Sequence, residues 1–375
     1  MIPFNRPTVA PGQLDRVAEA FTSGHLAGDG AFTERAAALL SEIHSGAAVL
    51  LTTSCTAALE LSALLLDLKP GDEVIVPSFT FVSSANAFAL MGARIVFVDI
   101  DAATLNIDAE QAVAAIGPRT RAIVIVNYGG LASVSDGLLD AAIANDVVII
   151  EDNAHGLFGS GQGHPLGTRT PLSTLSFHET KNVTCGEGGA LIVNDGRFLE
   201  RAEIIREKGT NRSRFFRGMV DKYTWIDAGS SYLMSDVNAA ILSAQIEHCE
   251  VIQTRRLAAT ASYREHLTDW ADSNGIVLPH RHADAGVPDH LFPLLLPDLE
   301  TRTRFLAFTR EHGVATTFHY IPLHSSPGGE RFGTTPFGCP VTTEVSDRLV
   351  RLPLFSDITE SEVELIIDAT QRFST

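Results

Sequence analysis

Short apolar runs rich in β-branched residues recur between residues 48 and 194, and they constrain the fold more than any other feature of the chain. Each run is nearly continuous in apolar character rather than alternating, which is typical of strands buried on both faces of a sheet. Helical stretches separate most of them. This alternation predicts an α/β fold with a mostly parallel sheet of seven strands in a large domain. The predicted strands are 48–52, 73–77, 94–100, 122–127, 147–152, 172–178 and 190–194, and the helices between them include 56–68, 83–91, 107–116 and 138–145.

The rhythm changes after about residue 235. Residues 236–270 have apolar side chains near helical spacing and predict one long helix. Short strands are predicted at 291–296 and 314–321, with helices at 302–312 and 360–373. A chain of 375 residues is long enough for two cores. We therefore expect a large α/β domain over residues 1–245 and a smaller α+β domain over 246–375.

The composition excludes several classes of function. The net charge of −17 argues against broad binding to nucleic acid or to a membrane surface. No apolar stretch approaches the ~20 residues of a membrane span, and residues 1–12 lack the apolar core of a signal peptide, so we expect a cytoplasmic protein. The four cysteines have neither CxxC nor zinc spacing, and the 13 histidines form no HExxH motif. No metal site is predicted.

One segment runs against the acidic trend. Residues 197–222 contain eight Lys or Arg and four Asp or Glu. A solvated helix face and loop would account for this excess. The alternative is a pocket for an anionic small molecule such as a nucleotide diphosphate, since arginine pairs bidentately with phosphate oxygens. The candidate substrate-binding residues of this segment are Lys208, Arg212 and Arg217.

A lysine and a carboxylate follow two of the predicted strands. Asp152 ends the strand at 147–152, and Lys181 follows the strand at 172–178. Ligands of open α/β sheets bind outside the carboxyl ends of the strands. There a lysine can bind pyridoxal phosphate covalently while a carboxylate keeps its ring nitrogen protonated. Taken singly, a lysine such as Lys181 is more often a solvated surface residue, and an acidic residue such as Asp152 is more often a helix cap or surface group.

Further side chains suit the same cofactor. The hydroxyl of Ser176 and the residues 52–58, between a strand and a helix, offer a phosphate cradle, although any helix can begin with such a cap. Phe81 could stack on a planar ring or pack in the core, and His155 could donate to the ring's phenolic oxygen or bond the backbone. His319 and Tyr320 could line a pocket mouth or form a polar turn.

Together these motifs resemble the DegT-type sugar-nucleotide aminotransferases, which have the aspartate-aminotransferase fold (fold type I of pyridoxal phosphate enzymes). The resemblance covers nearly the whole chain. Its marks are TTSCTAALE at 52–60, PGDEVIVPSFTFVSSANA at 70–87, EDNAHG at 151–156, SFHETKN at 176–182, GEGG at 186–189 and HYIPLH at 319–324. It implies a pyridoxal phosphate enzyme that acts as a homodimer with the active site at the subunit interface.

The resemblance also implies roles for individual residues. Lys181 would be the catalytic lysine that holds the cofactor, and Asp152 would pair with the pyridine nitrogen. The phosphate would be bound by Ser176 with Ser54, Cys55, Thr56 and Ala57, where Cys55 stands in place of a common glycine. Phe81 would cover the ring, and His155 stands where many members have glutamine. Many members supply an asparagine from the second subunit, a role that would fall here to Ser230 or Ser231.

A narrower resemblance lies in residues 206–225 and 229–236, together with HETKN. It is to members that move an amino group from glutamate to the C4 ketone of dTDP-4-keto-6-deoxyglucose with galacto configuration, as in enterobacterial common antigen synthesis. The gluco epimer, or another nucleotide keto-sugar, remains an alternative. Relatives that dehydrate a deoxysugar have histidine where this chain has Lys181. A further alternative is a regulator without catalytic activity on the same fold.

Overall fold

A computed structural model describes residues 1–279 and 286–375. The strands in these residues are β1 (Ala48–Thr52), β2 (Glu73–Pro77), β3 (Arg94–Val98), β4 (Thr120–Val126), β5 (Val148–Asp152), β6 (Ser160–Gly161), β7 (His164–Pro165), β8 (Leu172–Ser176), β9 (Gly189–Val193), β10 (Phe292–Leu295), β11 (Thr317–Phe318), β12 (Gly333–Thr334) and β13 (Leu349–Leu352).

The helices of the same residues include one short 3-10 turn at Tyr128–Gly130. The α-helices are α1 (Gln13–Ser23), α2 (Ala31–Ile43), α3 (Cys55–Leu65), α4 (Ser83–Leu90), α5 (Ala109–Ala114), α6 (Asp136–Ala144), α7 (Leu199–Arg206), α8 (Arg212–Phe216), α9 (Asp236–Glu247), α10 (Cys249–Ser273), α11 (Leu299–Glu311), α12 (Pro327–Phe332), α13 (Pro340–Arg348) and α14 (Glu360–Gln371). None of these helices is both long and apolar enough to cross a bilayer.

The large sheet has the strand order β1-β9-β8-β5-β4-β2-β3-β12. Only β9 runs against the others, because it pairs antiparallel with both β1 and β8. The remaining pairings are parallel, from β8 through β5, β4, β2 and β3 to β12. Apolar clusters cover both faces, with α3 on one and α9 on the other. The predicted fold class, with all seven strands of its large sheet, is confirmed.

An eighth strand was not predicted. It is β12, whose two residues pair parallel with β3. Gly333 fits there because a Cβ atom on it would lie 2.4 Å from the Phe97 ring. A two-residue strand without apolar character leaves no periodic signal in the sequence.

A second, three-stranded sheet has the order β10-β13-β11. Its apolar face packs with α10, α11 and α14 around Tyr263 and Phe305. Two details differ from the sequence-based expectation. The strand predicted at 314–321 is limited to Thr317–Phe318, and the long helix predicted at 236–270 is two helices that meet at His248. The apolar pattern continues through His248 and no Pro or Gly marks the break, so the sequence carries no signal for it.

The chain crosses between the two cores. Ile2 packs in the core of the second sheet, while β12 joins the first sheet. The division at residue 245 stays a prediction.

Candidate active site

A cavity of about 640 Å³ opens where the parallel strands end, a volume typical of small-molecule sites. Its floor comes from the carboxyl ends of the large sheet, where Val126, Asp152 and Ser176 end β4, β5 and β8. Its other wall comes from the second sheet, through Thr317 of β11 and Arg351 of β13. The fold thus brings together side chains that lie far apart in the sequence.

Asp152 is the last residue of β5 and is buried at the floor of the cavity. Ser84 Oγ donates to its Oδ2 (2.6 Å), and the Ala154 N–H donates to its Oδ1 (3.2 Å). Burial raises the pKa of the Asp152 carboxyl, while the bonds from Ser84 and Ala154 and the charge of Lys181 act in the opposite direction. A carboxylate held in this way can keep a proton on a pyridine nitrogen.

Lys181 lies in the loop after β8 and lines the same cavity. Its backbone N–H donates to His178 O (2.9 Å), which closes a turn at this point of the loop. Burial lowers the pKa of the Lys181 amine to about 8, and repulsion from Arg351 adds to this effect. Cys55 and Asp152 oppose it. A lysine with such a pKa has a substantial fraction of neutral, nucleophilic amine near neutral pH.

The cradle for an anion is the amino end of α3. Ser54 caps this helix, and its Oγ accepts from the Ala57 N–H (3.0 Å). The Thr56 hydroxyl contacts Ser83 Oγ (2.8 Å), and Ser176 faces the same space from the end of β8. Ala57 does not line the cavity, and its N–H is occupied by the cap.

Cys55 is the first residue of α3 and also lines the cavity. Its thiol donates to Thr174 Oγ1 (3.5 Å). Burial raises the pKa of the Cys55 thiol, so the group is neutral at neutral pH. The residues with positive φ do not include Cys55. The helix can therefore begin here without a glycine.

The GEGG motif brings β9 against this cradle. A Cβ atom on Gly189 would lie 2.3 Å from the carbonyl carbon of Ser54 and 2.4 Å from the Cys55 nitrogen. Both contacts are far inside van der Waals distance and both are to backbone. Glycine at this position is therefore required for the close approach of β9 to the start of α3.

His155 is buried beside the cavity and stacks on His290, with ring centroids 4.2 Å apart. The Gly129 N–H donates to its Nδ1 (3.3 Å). Burial holds the pKa of His155 well below its usual value, so the ring is neutral and its proton is assigned to Nε2. His155 can therefore donate one hydrogen bond to a ligand.

Aromatic side chains line another part of the cavity. Phe81 is 58% exposed and lies 6.5 Å from the Tyr320 ring between centroids. His319 and Tyr320 line the cavity, and the Tyr128 hydroxyl contacts His319 Nδ1 (3.0 Å). The segment is fixed to the end of β2 because Ser78 Oγ bonds both the ring and the backbone N–H of His324 (2.7 and 3.1 Å).

Five of the residues predicted from the sequence lie elsewhere on the single chain. Lys208 and Arg212 pair with Glu207 (3.3 and 3.0 Å), and Arg217 pairs with Glu203. The Ser230 carbonyl accepts from the Lys208 N–H, and Ser231 forms a bridge with Glu207. None of the five lines the cavity of its own chain. Their role in binding substrate or cofactor stays a prediction that requires a second chain.

Sequence reasoning missed several residues that line or support the cavity. Ser84 comes four residues after Thr80, with which it shares a hydrogen bond (2.8 Å), so a hydroxyl pair at helical spacing was the available signal. Arg351 was visible as a charged residue inside the apolar strand LVRL. Phe4, Asn5 and His290 also line the cavity, and no local pattern marks them.

The residues present fit pyridoxal phosphate. The desolvated amine of Lys181 and the carboxylate of Asp152 face one cavity whose phosphate side is the start of α3. His155 has a hydrogen bond left to donate.

Known proteins are similar to this chain over nearly its whole length. The profile of the DegT/DnrJ/EryC1/StrS aminotransferase family matches residues 8–371. The aminotransferase TlmJ from Streptoalloteichus hindustanus superimposes with a TM-score of 0.90 at 30% identity, and the match covers 99% of this chain and 98% of TlmJ.

Two other solved structures are similar. The sugar aminotransferase CalS13 from Micromonospora echinospora has a TM-score of 0.88 at 27% identity, over the full length of both chains. The PLP form of Spr1654 from Streptococcus pneumoniae has a TM-score of 0.90 at 26% identity and covers 99% of this chain and 97% of Spr1654.

Proposed function

The chain belongs to the DegT/DnrJ/EryC1/StrS aminotransferase family, whose members depend on pyridoxal phosphate, and we propose that it aminates a nucleotide-linked keto-sugar. The donor is L-glutamate and the acceptor is dTDP-4-keto-6-deoxy-D-glucose. The products are 2-oxoglutarate and dTDP-4-amino-4,6-dideoxy-D-galactose.

One observation carries the proposal that the site is catalytic. The amine of Lys181, with its pKa lowered to about 8, faces the same cavity as the buried carboxylate of Asp152. A regulator that only binds a ligand has no need of a desolvated lysine. Perturbed titratable groups that share a cavity are typical of catalytic sites.

When bound, pyridoxal phosphate supplies an electron sink for the charge left after a proton is removed next to an amine. Lys181 would hold the cofactor and, once released, its amine would take the proton from the donor's α-carbon. In the second half of the cycle the same amine would give a proton to C4 of the sugar. Such positioned proton transfer contributes typically ~10²–10⁴-fold.

The other residues would position the cofactor and polarise its ring. Asp152, held in place by Ser84, would keep the ring nitrogen protonated. Ser54, Thr56 and Ser176 would hold the phosphate. Phe81 would cover the ring, and His155 would donate through Nε2 to the phenolic oxygen.

The choice of acceptor rests on two supports. The similar protein CalS13 is a sugar aminotransferase. In addition, residues 206–225 and 229–236 resemble those of enzymes that make the galacto amino sugar. The gluco epimer, or a different nucleotide keto-sugar, is the alternative within the same chemistry. The expected cytoplasmic location stays a prediction.

The proposal includes a homodimer with shared active sites. Phe216, Met219 and Trp225 are 69, 65 and 77% exposed in the single chain, beside the basic residues of α8. Exposed apolar clusters of this kind mark interaction surfaces. In the dimer, Lys208, Arg212 and Arg217 would reach the partner's sugar nucleotide, and Ser230 or Ser231 its cofactor phosphate.

The test is a reaction with defined substrates. The purified protein, loaded with pyridoxal phosphate, is incubated with L-glutamate and dTDP-4-keto-6-deoxyglucose. We expect stoichiometric 2-oxoglutarate and a sugar whose C4 amine is axial, assigned from proton couplings by NMR. An equatorial amine would replace galacto by gluco. Absence of 2-oxoglutarate with this sugar and with other nucleotide keto-sugars would reject the proposed function.

A further inference from the structure

His290 lies two residues before β10, is buried and lines the cavity. Its ring stacks on that of His155, with the centroids 4.2 Å apart and the two planes 29° from parallel. Among the described residues, the next rings beside His155 are those of Tyr128 and His319, at 5.8 and 6.1 Å. His290 is therefore the ring that most restricts the tilt of His155, although the proposed reaction gives it no step of its own.

Asn182 fixes the orientation of the His290 ring. It follows Lys181 in the chain, and its Nδ2 donates to Pro288 O (3.1 Å) and Gln253 Oε1 (3.3 Å). Its Oδ1 can only accept, so the proton of the neutral His290 ring is assigned to Nδ1, which donates to that oxygen (2.8 Å). The His290 ring thus has one tautomer and one orientation.

A buried arginine holds the backbone at His290. Arg256 of α10 is 2% exposed and donates to Asp289 O (3.3 Å) and His290 O (2.7 Å). Asp289 lies in the left-handed region with φ 46°, and its Oδ2 accepts from the Thr260 hydroxyl. Burial of an arginine and a positive φ at a residue other than glycine both cost free energy. Both costs fall on the backbone that places the His290 ring.

The two stacked rings are neutral. Burial holds the pKa of His155 and that of His290 well below the ordinary histidine value. They can therefore stack without charge repulsion, and the free donor of His155 is its Nε2–H because the Gly129 N–H bonds Nδ1. The other titratable or charged groups that face the two rings are Lys181, Arg256, Arg351, His319 and Tyr128.

We infer that His290 is a positioning residue, which holds the His155 ring so that its Nε2–H reaches the phenolic oxygen of the cofactor. This inference rests on the proposed function and adds to it a residue that acts through His155. The torsion that turns an imidazole is broad, so a bond at one nitrogen leaves the ring free to tilt. Hydrogen bonds weaken steeply as they bend, and a stacked neighbour prevents that bending.

The experiment follows the absorbance of the bound cofactor against pH. The yellow absorbance is lost when the linkage to Lys181 loses a proton. A hydrogen bond to the phenolic oxygen lowers the midpoint of this change, because it favours the form with more negative charge. His290→Gln and His290→Leu remove the ring, and the first keeps a polar group near Asn182. His290→Phe keeps a ring in the stack but loses the bond to Asn182.

A matched control is His44→Gln. His44 is also a buried histidine with a lowered pKa, and its Nδ1 bonds Leu40 O (2.7 Å), but it does not line the cavity. The control reports the loss of a buried imidazole elsewhere in the fold. The His290 changes are also made in a His155→Phe background, which keeps a ring in the stack and has no N–H to donate.

We expect His290→Gln and His290→Leu to raise the midpoint by about one pH unit, the scale of one hydrogen bond to a charged group. His290→Phe should stay near the wild-type midpoint, and His44→Gln should match it. In the His155→Phe background the midpoint should already be raised. There the His290 changes should add nothing, because His290 acts through His155.

Four results would overturn the inference. An equal rise in both backgrounds would show that His290 acts on the cofactor directly. Equal rises in the Phe, Gln and Leu variants would assign the effect to the bond with Asn182 rather than to the stack. An unchanged midpoint in His290→Gln and His290→Leu, or an equal rise in His44→Gln, would leave His290 a structural residue only. A wild type without yellow absorbance would reject the proposed function as well, which separates that failure from the others.

Discussion

At the scale of single residues, the site depends on how burial changes the protonation of two groups. The Lys181 amine loses hydration and its pKa falls to about 8, while the same burial raises the pKa of Asp152. Ser84 limits the second effect by donating a hydrogen bond. The lower pKa of Lys181 provides neutral amine for proton transfer, whereas Asp152 must stay ionised, so the hydrogen bond from Ser84 counteracts the effect of burial.

The pKa of Lys181 predicts how the apoenzyme takes up its cofactor. Only the neutral amine attacks the aldehyde, so the rate of attachment should rise about tenfold per pH unit at low pH and level off above about pH 8. The yellow absorbance of the bound cofactor reports the rate in stopped-flow mixing. Lys181→Ala should show no such absorbance and lose at least ~10²–10⁴-fold in turnover. A midpoint near the ordinary lysine value of 10.5 would contradict the assignment.

Ser84→Ala tests the support of Asp152. Loss of the donor should raise the pKa of Asp152 further, because the bond from Ser84 lowers it. Since the carboxylate must be ionised to act, the acidic limb of the pH–rate profile should move to higher pH. Ser62→Ala, which removes another buried hydroxyl bonded within α3, should leave that limb in place. An unchanged limb in both variants would show that Asp152 does not depend on Ser84.

At the scale of elements, the phosphate cradle is the junction of two pieces of backbone. The start of α3 is capped by Ser54, and β9 passes so close that Gly189 has no room for a side chain. The segment 319–324 is likewise fixed to the end of β2 through Ser78 and His324. The site is therefore shaped by strand ends and helix starts more than by any one loop.

Gly189→Ala should damage this junction. The added methyl group would lie 2.3–2.4 Å from the backbone of Ser54 and Cys55, and backbone cannot move aside cheaply. We expect a loss of ~1–3 kcal/mol in unfolding free energy, the usual cost of overpacking. Cofactor should also dissociate faster, as measured by the loss of bound-cofactor absorbance after dilution.

The control for this variant is Gly137→Ala in α6, where a Cβ atom meets nothing within 4 Å. Alanine there should be neutral or slightly stabilising, because it is a better helix former than glycine. Equal behaviour of the two variants in thermal unfolding and in cofactor release would rule out the close contact at Gly189.

At the scale of the whole molecule, one chain lines a cavity but leaves the predicted anion-binding residues Lys208, Arg212 and Arg217 outside it. The basic segment around α8 is half-exposed, and large apolar side chains lie beside it. A second copy that covers this surface would account for both features. We therefore propose that assembly of two chains completes the site.

Phe216→Ser tests the assembly. Light scattering of the wild type should give a mass about twice the 40.2 kDa of one chain, and the variant should shift toward the single-chain mass. Activity should fall with the dimer fraction. Ile143→Ser, at a residue that is 77% exposed on α6, serves as the control and should stay dimeric. A monomeric, fully active wild type would contradict the shared site.

The sequence by itself determined the strands of the large sheet and the chemical groups at the ends of those strands. Buried strands and helices differ in period and apolar character, and all seven predicted strands are present because that local pattern is strong. The order of Asp152, Ser176 and Lys181 along the chain placed them at strand ends, where a parallel sheet brings ligands. These motifs are short runs of consecutive residues, so they can be recognised in the sequence without knowledge of the fold.

Only the tertiary structure decided which distant residues complete the cavity. Arg351, His290 and Phe4 come from segments far from Lys181 in the sequence. They line the same cavity as Lys181 because the second sheet packs against the ends of the first. The break at His248 and the two-residue strand β12 likewise depend on neighbours rather than on local propensity. Long-range packing fixes these features, and a packing partner hundreds of residues away leaves no periodic trace in the local sequence.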